Sequence, residues 1–298
     1  MLKRLWIYQR ERFPLATMSA LALLLGAAAT MFSALLRGAA APSALAVVAA
    51  AGSALLVFAQ MRIFDEFKDF EDDARFRPYR AVPRGLVTLG ELRWVLAVAA
   101  AGQIAIALAV DARLLWLLAA LWGYHLLMAA EFFARAWLRS RHFAYLASHV
   151  PFGALIALYA TAFEWLPRAA EPHPALLLLG AAALFDTVML EIGRKIRAPR
   201  DEEVGVATYS AVWGRRRAAA AWMAAFVLVI LSGGLAARAA GQATVFALLM
   251  APLLAAAMVC SLRSLRRPGI AKAFDVTSIL ATFMLYAALG PIPYLLAS

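Results

Sequence analysis

Apolar stretches long enough to cross a lipid bilayer occur nine times in this chain, and they leave little room for anything else. An α-helix needs about 20 apolar residues to cross roughly 30 Å of hydrocarbon. Stretches of this kind lie at about 14–36, 42–63, 92–110, 114–133, 143–165, 174–192, 218–237, 243–262 and 273–296. Because they fill the sequence almost from end to end, we predict one all-α integral membrane domain over residues 1–298 with about nine transmembrane helices.

Basic residues precede the first apolar stretch, as they do in a secretory signal peptide. The stretch is long enough to span a membrane, however, and the small residues after it, RGAAAPS, resemble a cleavage site only weakly. We therefore expect this segment to be retained as the first transmembrane helix.

The formal net charge of +11 could suggest a nucleic-acid partner, but the distribution of the charges indicates topology instead. Of the 29 lysines and arginines, 24 precede the first predicted helix or follow an even-numbered one. The alternate loops carry one each, at Arg37, Arg113, Arg168 and Arg238. Positive charge concentrates on the cytoplasmic side of membrane proteins. We therefore predict a protein of the cell (inner) membrane with its N-terminus and basic loops in the cytoplasm, its C-terminus outside, and no nucleic-acid partner.

Cysteine and histidine exclude several kinds of metal and redox site. Cys260 is the only cysteine and lies in an apolar stretch, so the sequence has no disulfide framework and no cysteine-based metal site. The four histidines lack the HExxH spacing of a zinc enzyme. Among them His149, just before Pro151, is the one we expect to face the basic loops.

The densest group of charged residues lies between the second and third predicted helices. The stretch FDEFKDFEDDARFRPYRAVPRG, residues 64–85, holds four aspartates, two glutamates and four arginines. Asp65, Asp69 and Asp73 are spaced four apart, which places them on one face if the helix continues. Three like charges in a column repel one another, and Mg²⁺ would remove that repulsion while binding substrate phosphate oxygens as well. A solvated acidic helix end is the alternative interpretation.

Arginines follow these aspartates in a segment that proline breaks into a loop. They are Arg75, Arg77, Arg80 and Arg84, and the prolines are Pro78 and Pro83. The planar guanidinium suits phosphate oxygens. Carboxylates for a metal beside arginines for phosphate predict a site for a metal-bound diphosphate.

These residues resemble the UbiA superfamily of membrane prenyltransferases. That family has a first motif NxxxDxxxD, followed in archaeal lipid-forming members by a loop like RPxRPxPSG. Aligning the loop with RPYRAVPRG (77–85) places Asp69 and Asp73 on the two motif aspartates, and Asp65 where the family has asparagine. The resemblance implies nine helices around a central cavity, with both aspartate motifs in cytoplasmic loops.

The second family motif is altered in this chain. The family has DxxxD ending four residues before a glycine, and the matching segment here is EIGRKIRAPRDEEVGVATYS, with Gly205 as that glycine. Asp201 takes the second acidic position, but Arg197 takes the first. Glu191 and Lys195 lie nearby. A basic loop after the fourth predicted helix, FARAWLRSRH, also resembles a family loop that contacts diphosphate.

The resemblance implies Mg²⁺-dependent transfer of an isoprenyl group from a polyprenyl diphosphate to a small-molecule or lipid acceptor in the membrane. Its implied metal ligands are Asp65, Asp69, Asp73, Glu191 and Asp201. Arg80 would offset charge on the leaving group, with Asp69 and Asp73 as the other catalytic residues. Implied substrate-binding residues are Arg77, Arg84, Arg135, Arg139, Lys195 and Arg197.

Two other functions are compatible with parts of the sequence. The altered second motif leaves open a non-catalytic membrane carrier of lipids or small molecules on the same scaffold. A CDP-alcohol phosphotransferase also uses membrane aspartates and a metal, but its DG…AR…G…D…D pattern is absent. The sequence does not indicate the acceptor or the prenyl chain length.

Overall fold

The computed structural model describes residues 2–266 and 271–297. Within these ranges all regular secondary structure is helical. Eight helical segments are long and apolar enough to cross a membrane, and a shorter apolar helix, Leu114–Ala129, makes a ninth. The predicted all-α membrane fold is confirmed, and the predicted number of helices fits approximately.

The helices follow one another with short connections. They are α1 (Leu2–Arg12), α2 (Leu15–Leu36), α3 (Ala44–Lys68), α4 (Phe70–Phe76), α5 (Leu89–Val110), α6 (Leu114–Ala129), α7 (Arg135–Arg139), α8 (His142–His149), α9 (Pro151–Trp165), α10 (Leu176–Gly193), α11 (Tyr209–Trp213), α12 (Arg215–Ala239), α13 (Ala243–Arg266), α14 (Ala271–Leu289) and α15 (Pro291–Ala297). Two single 3₁₀ turns, Glu131–Phe133 and Pro199–Asp201, lie in the connections.

Three boundaries differ from the sequence prediction. The segment before the first span forms a helix of its own, α1. The predicted fourth span, 114–133, ends as helix at Ala129. The predicted fifth span, 143–165, is divided between α8 and α9. Pro151 begins α9, because proline has no amide hydrogen and its ring clashes with the preceding turn, whereas it is well tolerated in the first turn of a helix.

Side-chain caps define where two of the long helices begin. The Ser43 hydroxyl accepts a hydrogen bond from the Ala46 amide at 3.1 Å, at the start of α3. Thr88 and Glu91 form a capping box at the start of α5: the Thr88 hydroxyl accepts from the Glu91 amide, and the Glu91 carboxylate accepts from the Thr88 amide. These bonds satisfy amides that the first helical turn leaves without partners.

Small residues let the long helices pack closely. A Cβ atom added to Gly26 in α2 would lie 2.6 Å from the backbone nitrogen of Ala51 in α3. One added to Gly193 at the end of α10 would lie 2.9 Å from the Trp222 indole nitrogen in α12. Close approach through small residues is typical of helix packing in membranes. The hydrophobic effect does not drive helices together within lipid, so they associate largely through van der Waals packing.

Three connections meet at one end of the bundle. We call this the motif end; it comprises residues 69–88, 130–141 and 194–214. Arg139 of the second connection donates to Asp72 of the first at 2.8 Å, and Tyr79 of the first donates to Glu203 of the third at 2.7 Å. These are three of the connections that the basic-residue pattern assigned to one side of the membrane, and the structure brings them together.

Helix α1 packs against the first of these connections. The ring of Tyr8 is buried in a small apolar cluster with Ala81, Val82 and Leu92. Ion pairs surround this cluster, at Arg4–Glu91 (2.5 Å), Arg12–Glu66 (2.7 Å) and Glu11–Arg84 (2.7 Å). The N-terminal segment thus packs against the arginine loop and is joined to it by the Glu11–Arg84 ion pair.

Candidate functional site

The three aspartates of the first motif lie one helical turn apart, as their spacing predicted. The amide of Asp69 donates to the carbonyl of Asp65 at 2.9 Å, and the amide of Asp73 donates to the carbonyl of Asp69 at 2.8 Å. Helix α3 ends formally at Lys68, because Asp69 has φ −98° and ψ 4° before α4 resumes. A local distortion therefore sits at the central aspartate, but the helical hydrogen bonds continue through it.

The electrostatic environments of these aspartates differ. Asp65 has two cations near it, with Arg62 at 3.1 Å and Lys68 at 3.7 Å. Asp73 is buried and forms ion pairs with Arg77 and with Arg80, the latter at 2.7 Å. The Arg77 guanidinium touches Oδ1 of Asp73 without the alignment of a hydrogen bond.

Asp69 is the aspartate that remains without a partner. Among the described residues, none forms a hydrogen bond or a close ion pair with its carboxylate. Burial raises the pKa of this carboxyl, the charge of Lys68 lowers it, and the charges of Asp65 and Asp73 raise it further. The net direction of the pKa shift is upward, because burial and the neighbouring carboxylates outweigh the charges of Lys68 and Arg62.

The arginine loop divides into two parts. Arg77 and Arg80 contact the Asp73 carboxylate. Because a guanidinium binds carboxylate and phosphate oxygens in the same way, both arginines could bind a phosphate in place of this carboxylate. Arg84, also predicted to bind substrate, instead donates to the Tyr79 carbonyl at 2.8 Å and to the Glu11 carboxylate at 2.7 Å. It therefore joins the loop to α1 rather than facing the aspartates.

The basic connection after α6 reaches the first motif. Arg135 donates to the backbone carbonyl of Lys68 at 2.9 Å, and Arg139 donates to the Asp72 carboxylate at 2.8 Å. The turn that presents them is strained: Glu131, Phe132 and Phe133 all have positive φ, between 48° and 57°. Such left-handed backbone in non-glycine residues costs energy and is concentrated at functional sites.

Three acidic side chains in or beside the third connection form ion pairs with basic residues of the same segment. Glu191, at the end of α10, forms ion pairs with Arg194 and with Lys195, the latter at 2.7 Å. Asp201 lies in an exposed 3₁₀ turn with Arg200 at 3.7 Å. Arg197, which replaces the first acid of the family motif, pairs with Glu203 at 2.9 Å.

The five predicted metal ligands are not brought together in one cluster. In the part of the chain that the structure describes, no three acidic, histidine or cysteine side chains lie close enough to hold a metal ion between them. Mg²⁺ usually takes only one or two protein carboxylates, with substrate phosphates and water completing its shell. Asp69 and Asp73 fit that requirement, since among the described residues Asp69 has no hydrogen bond or close ion pair, and Oδ1 of Asp73 contacts Arg77 but accepts no hydrogen bond.

A bridge joins the first and third connections of the motif end. The Glu203 carboxylate accepts a hydrogen bond from the Tyr79 hydroxyl at 2.7 Å and from Arg197 at 2.9 Å. We call Tyr79, Glu203 and Arg197 the loop bridge. Beside it the ring of Phe76 packs on Gly205, where a Cβ atom would lie 2.4 Å from the ring carbons. The bridge holds the two motif loops together.

Sequence reasoning missed several of these residues. Tyr79 lies inside the RPYR segment and Glu203 two residues before Gly205, so both were in quoted motifs without an assigned role. Lys68 lies directly before Asp69, and its ammonium donates to the Tyr145 hydroxyl in α8 at 2.7 Å. The Tyr145 ring in turn stacks on His149 at 4.0 Å between centroids. No sequence signal pairs residues that are 77 positions apart.

Solved structures with the same fold include two UbiA homologues and a digeranylgeranylglyceryl phosphate synthase. A UbiA homologue from Aeropyrum pernix K1, in its apo form, superposes with a TM-score of 0.72 at 14% identity, covering 94% of this chain and 98% of the other. A digeranylgeranylglyceryl phosphate synthase superposes with 0.61 at 14% identity, covering 96% and 99%. A UbiA homologue from Archaeoglobus fulgidus, bound to GPP and Mg²⁺, superposes with 0.55 at 16% identity, covering 95% and 99%. At these identities the likeness establishes the fold alone.

Sequence comparisons give one family and no individual relative. No curated protein matches the chain. The model of the UbiA prenyltransferase family matches residues 23–287, which run from α2 to α14 and include all three connections of the motif end. The chain therefore belongs to the UbiA prenyltransferase family.

Proposed function

We propose that this protein transfers an isoprenyl group from a polyprenyl diphosphate to an acceptor within the membrane, with Mg²⁺ as cofactor. The observation that carries the proposal is the carboxylate of Asp69, which has no hydrogen bond or close ion pair among the described residues and lies one turn from a buried Asp73 that holds two arginines. That arrangement suits an anionic substrate that arrives with its own cation. The structures of the Archaeoglobus fulgidus homologue with GPP and Mg²⁺ and with DMAPP and Mg²⁺ support the same chemistry in the family.

In this proposal Asp69 and Asp73 hold the metal. Mg²⁺, when bound, supplies a Lewis acid that neutralises the diphosphate and makes it a better leaving group. In the second motif Arg197 replaces the first of the two acids and pairs with Glu203 at 2.9 Å, so this motif has one carboxylate fewer for a second metal. We therefore propose one Mg²⁺ rather than two.

The basic residues of the motif end bind the diphosphate. Arg77 and Arg80 lie on Asp73 and can turn to the phosphate oxygens once that carboxylate has another cation. Arg80 then offsets the negative charge that develops on the departing diphosphate. We propose further phosphate contacts from Arg135, Arg139, Lys195 and Arg197 at the edges of the site.

The reaction separates charge between the motif end and the apolar bundle. The bond between the allylic carbon and the diphosphate oxygen breaks, and a bond from that carbon to the acceptor forms. The acceptor loses a proton and the diphosphate leaves with the bonding electron pair. The apolar side chains of the bundle exclude water, which would otherwise capture the allylic cation.

Direct binding and turnover together test this proposal. The purified full-length protein in detergent is titrated with geranyl diphosphate in the presence and absence of Mg²⁺, by calorimetry. It is then incubated with labelled prenyl diphosphates and membrane lipid extract, and labelled lipid products are separated. We expect Mg²⁺-dependent binding and product formation, both abolished by Asp69→Asn. Product formation that persists in excess EDTA would contradict the metal assignment.

A carrier function on the same scaffold remains the second candidate. The observation that favours it is Arg197, which stands at an acidic position of the family motif and pairs with Glu203. A carrier would bind the prenyl diphosphate with Mg²⁺ but would release no diphosphate with any lipid extract. The turnover experiment therefore separates the two candidates.

We also propose that the motif end faces the cytoplasm. The support is the distribution of the basic residues: 24 of the 29 lie in the N-terminal segment or around the connections that the predicted topology places on this side. Basic residues concentrate on the cytoplasmic side of membrane proteins. The charged diphosphate group of the substrate would then reach the site from the cytoplasm, whereas its apolar prenyl chain would lie within the bilayer.

A further inference from the structure

We propose that the Lys68 ammonium acts as a built-in second cation of the diphosphate site, held in position by Asp65 and Tyr145. The site would then bind diphosphate with one Mg²⁺ and one lysine. This inference rests on the proposed function, and it gives Asp65 a positioning role instead of the metal-ligand role that its place in the motif implied.

The position of Lys68 is determined from two sides. Its Nζ atom donates to the Tyr145 hydroxyl at 2.7 Å and lies 3.7 Å from the Asp65 carboxylate. The Lys68 side chain is 11% exposed, which is unusually low for a lysine. A buried lysine of this kind is held in one place, whereas a surface lysine samples many rotamers.

The same contacts leave the ammonium with donor capacity for a ligand. An ammonium has three N–H groups. The Tyr145 hydroxyl accepts one, and the Asp65 oxygen, at 3.7 Å, is within ion-pair range but beyond hydrogen-bond range. The Asp65 carboxylate is 43% exposed, so open space adjoins the pair and a phosphate oxygen could enter there.

Lys68 is also adjacent to the predicted metal position. It directly precedes Asp69, the carboxylate without a close partner. A diphosphate bound to a cation on Asp69 and Asp73 would therefore have Lys68 on one side and the arginines of Asp73 on the other. The phosphate groups would be neutralised from both sides.

Of the two acidic positions of the second motif, the third connection keeps only Asp201 for a second metal. Glu191 is engaged by Arg194 and Lys195, and Arg197 takes the place of an acid. A lysine ammonium near Asp69 would supply the positive charge that a second metal ion would otherwise bring to the diphosphate. Lys68 is the cation that lies closest to Asp69 in the chain and contacts its neighbour Asp65.

The test counts metal ions and measures diphosphate affinity separately. Full-length protein in detergent is titrated with inorganic diphosphate in the presence of Mg²⁺ by calorimetry. Mn²⁺ replaces Mg²⁺ for counting bound ions by electron paramagnetic resonance. We expect one Mn²⁺ per wild-type chain with diphosphate present. Lys68→Met should weaken diphosphate binding by roughly ten- to a hundredfold, the loss of one charge-assisted contact, while Mn²⁺ binding without diphosphate persists.

Further variants separate a ligand role from a structural one. Lys68→Arg keeps the charge and should restore most of the affinity. Asp65→Asn as a single substitution should weaken diphosphate binding. Combined with Lys68→Met it should cause little further loss of affinity, because Asp65 acts through Lys68. Tyr145→Phe leaves every charge in place and should weaken binding severalfold by releasing the ammonium. Lys272→Met, at an exposed lysine at the start of α14, is the matched control and should bind like wild type.

Each outcome has a definite meaning. Two Mn²⁺ ions per wild-type chain would overturn the role of Lys68 together with the single-metal site, but not Mg²⁺-dependent prenyl transfer. Lys68→Met within twofold of wild type would overturn the role of Lys68 alone. A wild-type protein that binds no diphosphate with Mg²⁺ would overturn both. Loss of affinity in Lys68→Met that Lys68→Arg fails to restore, with a lowered melting temperature in both, would show a structural role only.

Discussion

The loop bridge can be cut by one substitution, Glu203→Ala. The carboxylate accepts a hydrogen bond from Tyr79 at 2.7 Å, which joins the RPYR loop to the altered second motif, and one from Arg197 at 2.9 Å, which holds the carboxylate in place within that motif. Without them the two loops would be held by the packing of Phe76 on Gly205. We expect the loops to separate part of the time and the diphosphate site to be less often complete.

The magnitude follows from the exposure of the bridge. Charged hydrogen bonds contribute roughly 1.5–3 kcal/mol when buried, but exposed ion pairs contribute only about 0–1 kcal/mol. The Glu203 side chain is 39% exposed, so the two contacts together are worth about 1–2 kcal/mol. If that energy is coupled to ligand binding, affinity for diphosphate with Mg²⁺ falls roughly 5- to 30-fold.

The assay is calorimetric titration of inorganic diphosphate with Mg²⁺ into wild type, Glu203→Ala, Arg197→Ala and the double variant. Arg197→Ala alone should also weaken binding. If Arg197 acts only through Glu203, the double variant should be no weaker than the weaker single variant. An additional loss in the double variant would indicate that Arg197 contacts the ligand itself. Affinity of Glu203→Ala within twofold of wild type would refute the role of the bridge.

The pH dependence of this effect has a definite sign. The hydrogen bond from Tyr79, and then the charge of Arg197, lower the pKa of Glu203 below its ordinary value. Because the pKa is lowered, Glu203 is ionised and the bridge is complete at any pH above the ordinary glutamate pKa of about 4.3. The bridge is lost as the pH falls through the lower pKa that Glu203 has in the folded protein. The difference in affinity between wild type and Glu203→Ala should therefore stay constant from about pH 6 to pH 8.

Three further predictions concern other parts of the molecule. Gly205→Ala should weaken diphosphate binding more than Gly214→Ala, because both glycines have positive φ but only at Gly205 would a Cβ atom meet the ring of Phe76; equal effects would contradict the packing argument. Glu164→Ala should lower stability by roughly 3–5 kcal/mol, measured by thermal unfolding in detergent, since this buried carboxylate pairs with two arginines at the end of the bundle opposite the motif end. A cysteine at Glu171, in a cysteine-free background, should react with an impermeant reagent from outside intact cells, and labelling only after permeabilisation would reverse the proposed orientation.

Much of the fold could be predicted from sequence because membrane helices are encoded locally. Apolar length alone identified the nine spans to within a few residues in most cases. The alternation of basic loops placed the three connections at one end of the bundle, where the structure has them. The exceptions are α1, an amphipathic segment too polar to count as a span, and the break before Pro151, where the apolar pattern continues although the helix does not.

The one-turn spacing of Asp65, Asp69 and Asp73 was likewise determined by the sequence, since residues four apart in a helix share a face whatever surrounds them. Which cation each carboxylate holds was decided only by tertiary structure. Asp65 has Lys68 as a neighbour, but Lys68 is positioned by Tyr145 of another helix. Arg84 forms an ion pair with Glu11, and Arg197 forms one with Glu203. An ion pair forms where helix packing brings two flexible side chains within about 4 Å, and the sequence pattern carries no information about that distance.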